Sequence, residues 1–309
     1  MTLNNNLNYD IVFPFYKDYA YLNKALSYIN DQILMPKNLI FIDDGNKDSN
    51  LKSQIVKILS KKIKLKFISL PNNIGNIAGV LKGVENVTNE FFFIMAADDI
   101  YYPELAIKSL KTLSKYPGAG FVCSNIVSNF KDRKIKKFIN YSFLKKSYYS
   151  SEEAKKILKY KSLKFYHNTI FYRSDLFKKN NYFNKAIGPR CDFYNLIFFS
   201  TKYGFTYVNN FLAEFTIRKN QINKQYQDVY LINELSLINK DFKSLYNLVK
   251  ELDMFFDISP FGLFSLKGSK LSEIITFNLL KKSILFYIWR KIRIYIPDII
   301  TQTVYKLIN

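Results

Sequence analysis

Cysteine and histidine are almost missing from this sequence: its 309 residues include two Cys and one His. Cys123 and Cys191 have no C-x-x-C or zinc-like spacing, and His167 alone cannot assemble a histidine metal site, which excludes zinc modules. A reducing, cytoplasmic setting is expected. Runs of about 18 apolar residues are missing too, so no spanning helix is expected. The start, Met1 to Tyr9, is polar and Asn-rich, unlike a signal peptide. Acidic residues are outnumbered, 25 Asp and Glu against 46 Lys and Arg, for a formal net charge of +21. Such an excess ordinarily raises nucleic acid or an anionic membrane as a partner. Here Lys, Asn, Ile, Phe and Tyr are abundant along the whole chain, a residue-usage bias rather than a selected patch. No nucleic-acid motif occurs, so nucleic acid is not an expected partner.

What is present is ample apolar material, 48% of residues, for one large α/β domain with an extension or for two modest domains. From Tyr9 to Asn125, short apolar runs alternate with helical periodicities, the pattern of a doubly wound, mainly parallel sheet. Strands are predicted at Asp10 to Phe13, Leu39 to Ile42, Leu65 to Leu70, Phe91 to Met95 and Gly120 to Cys123. Helices are predicted near Tyr19 to Gln32, Leu51 to Ser60, Ile77 to Val87 and Pro103 to Ser114. After Asn125 comes a basic stretch, Lys131 to Lys146, and then a helix opening at Ser151 on a Ser-Glu-Glu start. A strand near Thr169 to Tyr172, a helix over Asp192 to Lys202 and a strand pair around Phe205 to Val208 and Leu212 to Ile217 follow. This half is expected to carry a second substrate.

Two strands end on aspartate pairs, Asp43-Asp44 after Ile40-Phe41-Ile42 and Asp98-Asp99 after Ile94-Met95-Ala96-Ala97. Open α/β sheets bind ligands beyond the carboxyl ends of their strands. Carboxylates gathered there can hold a sugar-nucleotide and its divalent cation. Each pair taken singly is also compatible with a turn, Gly45 supplying positive φ and Asp48 capping the next helix.

Six motifs in order make Tyr9 to Arg218 similar to family 2 glycosyltransferases of the GT-A fold. Ile11-Val12-Phe13-Pro14-Phe15-Tyr16 resembles the opening strand and its Pro-x-Tyr-Asn turn, with Lys17 in place of Asn. Asp43-Asp44-Gly45-Asn46-Lys47-Asp48 resembles an Asp-Asp-Gly-Ser-x-Asp loop. Asn73-Ile74-Gly75 with Ala78 and Gly83, followed by Asn89-Glu90-Phe91, resembles the next block. Met95-Ala96-Ala97-Asp98-Asp99 with Pro103 resembles an Asp-x-Asp-Asp segment whose first aspartate is Ala96 here. Cys191-Asp192 at a helix start resembles a Glu-Asp pair, and Phe211 to Arg218 resembles a Pro-Leu-x-x-Tyr-Arg-x-His segment with Arg218 in the place of the His.

The resemblance implies a nucleotide-sugar donor, UDP-linked, and transfer with inversion. Pro14, Phe15 and Tyr16 would present the first turn to base or ribose, Asp44 would contact the base with Asp43 supporting its loop, and Asn73 and Gly75 would border the nucleotide. Asp98 would ligate a Mg or Mn ion with Asp99 beside it. Strict metal dependence is in doubt because Ala96 and Arg218 both depart from the pattern, and Arg218 is expected to take part of the leaving group's charge. Asp192 would be the catalytic base, although an acid at a helix start is also compatible with a plain N-cap. His167 and Arg173 match the acceptor-side strand only loosely.

The expected organisation is a catalytic domain over 1–220 and a helical, basic extension over 221–309. Phe277 to Asn309 holds six Lys/Arg against one Asp, mixed with Phe286, Tyr287, Trp289 and Tyr295. That mixture suits a membrane interface, and equally a helix packed on the catalytic domain. Resemblance to bacterial members implies O-antigen, capsule or other surface-glycan assembly on a lipid-linked acceptor at the inner membrane face. A noncatalytic glycan- or partner-binding module of the same fold is the alternative.

Overall fold

The computed structural model describes residues 7–161, 163, 165–180 and 191–218. The expected extension, 221–309, and the 188–190 approach to the expected base lie outside the described residues. In chain order the strands are β1 Tyr9–Phe15, β2 Asn38–Asp43, β3 Lys64–Ser69, β4 Phe91–Ile94, β5 Ile100–Tyr101, β6 Phe121–Phe130, β7 Ile135–Ile139, β8 Tyr148–Tyr149, β9 Phe171–Arg173 and β10 Phe205–Ile217. The helices are α1 Tyr19–Asn30, α2 Leu51–Ile58, α3 Asn76–Val84, α4 Leu105–Leu113, α5 Ser151–Lys161, α6 Ser174–Lys179 and α7 Cys191–Tyr203.

One sheet runs β3-β2-β1-β4-β9-β6-β10-β5, with β7 pairing β6 and β8 pairing β10. β1 is parallel to β2 and β4, and β2 to β3. β9 is antiparallel to both β4 and β6, so those two share a direction, and β10 runs parallel to β6. The carboxyl ends of β1, β2, β4, β6 and β10 therefore open on one edge. Strand alternation explains why both faces are covered. Along β1, Tyr9, Ile11, Phe13 and Phe15 enter one core with α1, α2 and α4, while Val12 enters the other with α3, α5, α6 and α7. Near-continuous apolar strands follow from burial on both sides.

Small residues set the depth of α3. A Cβ on Gly83 would collide with Val12 Cγ1, and one on Gly79 would already touch Pro14 Cβ at 3.4 Å. The helix start, Gly75 and Asn76, is thereby held close above β1 and β2.

The predicted elements through α4 appear within a few residues of their expected limits, the strand expected at Gly120 to Cys123 continues to Phe130 as β6, and the second half differs further. The expected strand pair at 205–217 is one strand, β10. Asn209 and Asn210 look like a turn in sequence, yet β10 keeps its pairing with β6 across register irregularities there. The basic stretch after Asn125 contains β7, an edge strand whose residues 135–138 are all exposed. Lysines on an edge discourage strand addition from another chain and also hide the strand pattern.

Candidate active site in the crevice of the sheet

The first cluster is built by Asp44, which is 2% exposed. Its Oδ1 accepts from Ile74 N at 2.8 Å, and its Oδ2 accepts from Asn73 Nδ2 at 3.0 Å and Gly75 N at 3.1 Å. Asp44 N donates to Phe15 O at 3.0 Å. Asp43 holds the neighbouring turn: Oδ1 accepts from Asn46 N and Nδ2 at 3.0 and 2.6 Å, and Oδ2 from Ser69 Oγ at 3.0 Å. Gly45 needs its φ of +78°, and a Cβ there would sit 2.5 Å from the Asn72 and Asn73 backbone. Asp43, Asp44, Asn73 and Gly75 are thus brought together in one hydrogen-bonded turn and loop. The expected base contact of Asp44 is a different matter, because both its oxygens already organise the 73–75 loop.

The second cluster joins residues far apart in sequence. Arg218, just past β10, places Nη2 2.7 Å from Asp98 Oδ2 and Nη1 3.5 Å from Asp18 Oδ1. Its guanidinium lies 5.0 Å from the centroid of the Tyr21 ring, and Lys131 Nζ approaches the same ring at 5.1 Å. Burial pushes the Asp18 carboxyl up, Arg218 opposes that shift, and Asp98 adds to it. Burial works against the Arg218 charge, but Asp98 and Asp18 outweigh it and raise its pKa.

The four residues Phe15 to Asp18 tie the clusters together. Phe15 O receives Asp44 N, Lys17 N donates to Asn46 Oδ1 at 2.8 Å, and Asp18 meets Arg218. Tyr16, 39% exposed, stands on this loop, and Lys17 takes a left-handed φ of 57°. Asp18 and Tyr21 belong to this cluster, and the motifs did not single them out. A signal existed: Asp18 sits at the N-cap of α1, where an aspartate is expected to cap, yet its side chain makes no capping bond and turns to Arg218.

Asp192 lies in the first turn of α7, which leads through Gly204 into β10 and packs Leu196, Ile197 and Phe199 into the core that includes Phe205 and Tyr207.

Three expected residues are turned away from the crevice. Phe15 is core, packed on Phe13, Phe41 and Tyr19, because strand alternation sends it to the α1 face. Pro14 faces α3. Asp99, 5% exposed, points inward and accepts Thr216 N at 2.8 Å. Burial first, then Asp98, push its carboxyl well above the ordinary range. Arg173 is likewise framework: it pairs with Glu90 and donates to Ala119 O and Leu113 O at 3.3 and 3.2 Å. His167 lies in the 3-10 turn before β9.

The glycosyl transferase family 2 model matches residues 10–180, more than half of the chain. The chain belongs to glycosyl transferase family 2. It is therefore a glycosyltransferase dependent on a nucleotide-sugar, and its mainly parallel doubly wound sheet is the GT-A fold. No curated protein matches the sequence. Among solved structures, S. aureus TarS residues 1–349 in complex with UDP-GlcNAc is similar with a TM-score of 0.62 and 16% identity, over 86% of this chain and 77% of that one. The same TarS segment in complex with UDP gives 0.53 and 16%, over 90% and 87%. Against S. aureus TarS the values are 0.53 and 14%, with 91% of this chain on 53% of that one. At these identities the likeness carries the fold.

Family 2 glycosyltransferases commonly use a divalent metal. The residues present do not fit one well. Among the described residues no group of three His, Cys, Asp or Glu is placed to hold a metal ion. Asp98 already has a guanidinium at 2.7 Å, Asp99 faces inward, and Ala96 stands where the motif has a further aspartate.

His167 yields a stability prediction. Burial pushes its pKa down to about 4 from 6.5, so the folded state holds it neutral. The unfolded chain takes up that proton below its own pKa, so this contribution is complete above pH ~6.5 and is lost as pH falls towards ~4. Urea melts between these limits are expected to lose about 3 kcal/mol through this group. His167→Gln should flatten the slope.

Proposed function

We propose that this glycosyltransferase moves a monosaccharide from a UDP-sugar to an acceptor hydroxyl with inversion. The observation that carries the reading is the Phe15 to Asp18 loop, which bonds to the Asp44 cluster at one end and to Arg218 at the other. A nucleotide spanning that loop would have Tyr16 and the 73–75 loop near its base and ribose, and Asp98 and Arg218 near its diphosphate. Asp192 takes the acceptor's hydroxyl proton as the acceptor oxygen forms its bond to the anomeric carbon. The bond from that carbon to the phosphate oxygen breaks, and its electron pair leaves with UDP. The UDP-GlcNAc and UDP complexes of TarS support the choice of nucleotide by likeness of fold.

The acceptor in this reading is a lipid-linked or oligosaccharide glycan of the cell surface, such as O-antigen or capsule, reached at the cytoplasmic face of the membrane. Residues 1–220 form the catalytic domain, and 221–309 a basic, helical extension that meets the membrane. The six Lys/Arg against one Asp over Phe277 to Asn309, with interleaved aromatics, support that role. Among the described residues no helix is long and apolar enough to cross a membrane.

A thermal-shift panel tests the donor. A ligand that binds only the folded state at about 100 times its Kd adds about 2.7 kcal/mol of stability. UDP and UDP-sugars should raise the Tm, with GDP-, CMP- and dTDP-sugars doing so less. A panel in which no nucleotide moves the Tm sinks the reading.

A further inference from the structure

We propose that Arg218, clamped by Asp18 and Asp98 against Tyr21, is the cation that receives the donor's diphosphate, and that this chain binds and uses its donor without a divalent metal. The proposal rests on the nucleotide-sugar reading above and deepens it.

The guanidinium is fixed along one edge only. Nη2 and Nη1 meet the two carboxylates at 2.7 and 3.5 Å, and the Tyr21 ring lies 5.0 Å from its centre. A third of the Arg218 side chain, 34%, stays exposed, whereas Asp98 is 12% exposed. Nε is buried and has no acceptor among the described residues. A buried donor without a partner is costly. Phosphate oxygens suit a guanidinium fork because several parallel N–H bonds can be made at once.

A divalent ion meets the opposite situation. To reach Asp98 it must displace a partner at 2.7 Å and leave that charge beside a dication. Further ligands would have to come from elsewhere, since Asp99 is engaged by Thr216 N and Ala96 offers no side-chain oxygen. An arginine in the place of the motif's His cannot ligate a metal.

The local charge does not oppose an anion: Lys131 Nζ, over the same Tyr21 ring, adds a second cation to Arg218 against Asp18 and Asp98. As the bond to the anomeric carbon breaks, the electron pair settles on the β-phosphate oxygen. The new charge is met by the N–H groups of Arg218, so no co-reactant is needed.

The test is calorimetric titration of the full chain with UDP, first in excess EDTA and then in excess manganese chloride. The expected Kd values agree within about twofold. In EDTA, Arg218→Gln should weaken UDP binding by about tenfold to a hundredfold, with Arg218→Lys between. The double variant Ala96→Asp, Arg218→His should gain a manganese requirement. Wild-type binding that appears only with manganese, or an Arg218→Gln variant that binds UDP like wild type, overturns the proposal. The wild-type comparison needs no variant to fold. If UDP binds in neither medium, it is the choice of UDP as the donor's nucleotide that fails, and not only the identity of the cation.

Discussion

Asp192→Asn is expected to abolish transfer while leaving the protein folded and the donor bound. A positioned general base contributes about 10²- to 10⁴-fold to rate, and kcat should fall by that amount. Asparagine is nearly isosteric and serves well at a helix start, so the beginning of α7 keeps its geometry. Its amide has no basic oxygen with which to remove the acceptor's proton. Donor Kd should stay within about twofold and the Tm should hold, because in the proposed mechanism Asp192 serves the acceptor and not the donor. Steady-state kinetics with a UDP-sugar, alongside donor titration, separates these quantities. Full activity in the variant would move the base elsewhere. A wild-type chain that binds the donor yet never transfers it would favour the noncatalytic binding module.

The second large effect is expected at Asp44. Asp44→Ala removes at once the acceptor for Ile74 N, Gly75 N and Asn73 Nδ2, in a place that is 2% exposed. Asp44 is buried but its donors sit on exposed Asn73 and Ile74 and half-buried Gly75, where water re-satisfies part of the loss, so about 1–3 kcal/mol is the scale expected. The 73–75 loop should then lose its shape above β1 and β2, and donor binding should fall with it. Urea denaturation and UDP titration measure the two losses. A variant with unchanged stability and weakened binding would instead favour direct contact between Asp44 and the base.

These expectations show where the sequence was legible. The alternation from Tyr9 to Asn125 located β1 to β4 and α1 to α4 because their apolar residues recur at strand and helix periods. The aspartate pairs after β2 and β4 were visible for the same reason. Elements with weak periodicity were not: β7 is exposed along most of its length, and the two asparagines inside β10 imitate a turn. Nor could sequence divide a pair. Asp98 and Asp99 are adjacent and chemically identical, yet one meets Arg218 and the other is buried against Thr216. Asp18 lies in no motif, and its carboxylate is committed to Arg218.

The sequence by itself determined the order of β1 to β4 and α1 to α4, the family, and the aspartates that follow β2 and β4. Local periodicity and short-range turn chemistry decide those features, and a parallel βα arrangement sends the carboxyl ends of its strands to one edge. Only the tertiary structure decided which charge meets which: that Asp44 folds the 73–75 loop, that Arg218 closes on Asp98 and Asp18, and that Asp99 turns inward. Those pairings depend on register and twist summed over a whole sheet, and no local spacing encodes them.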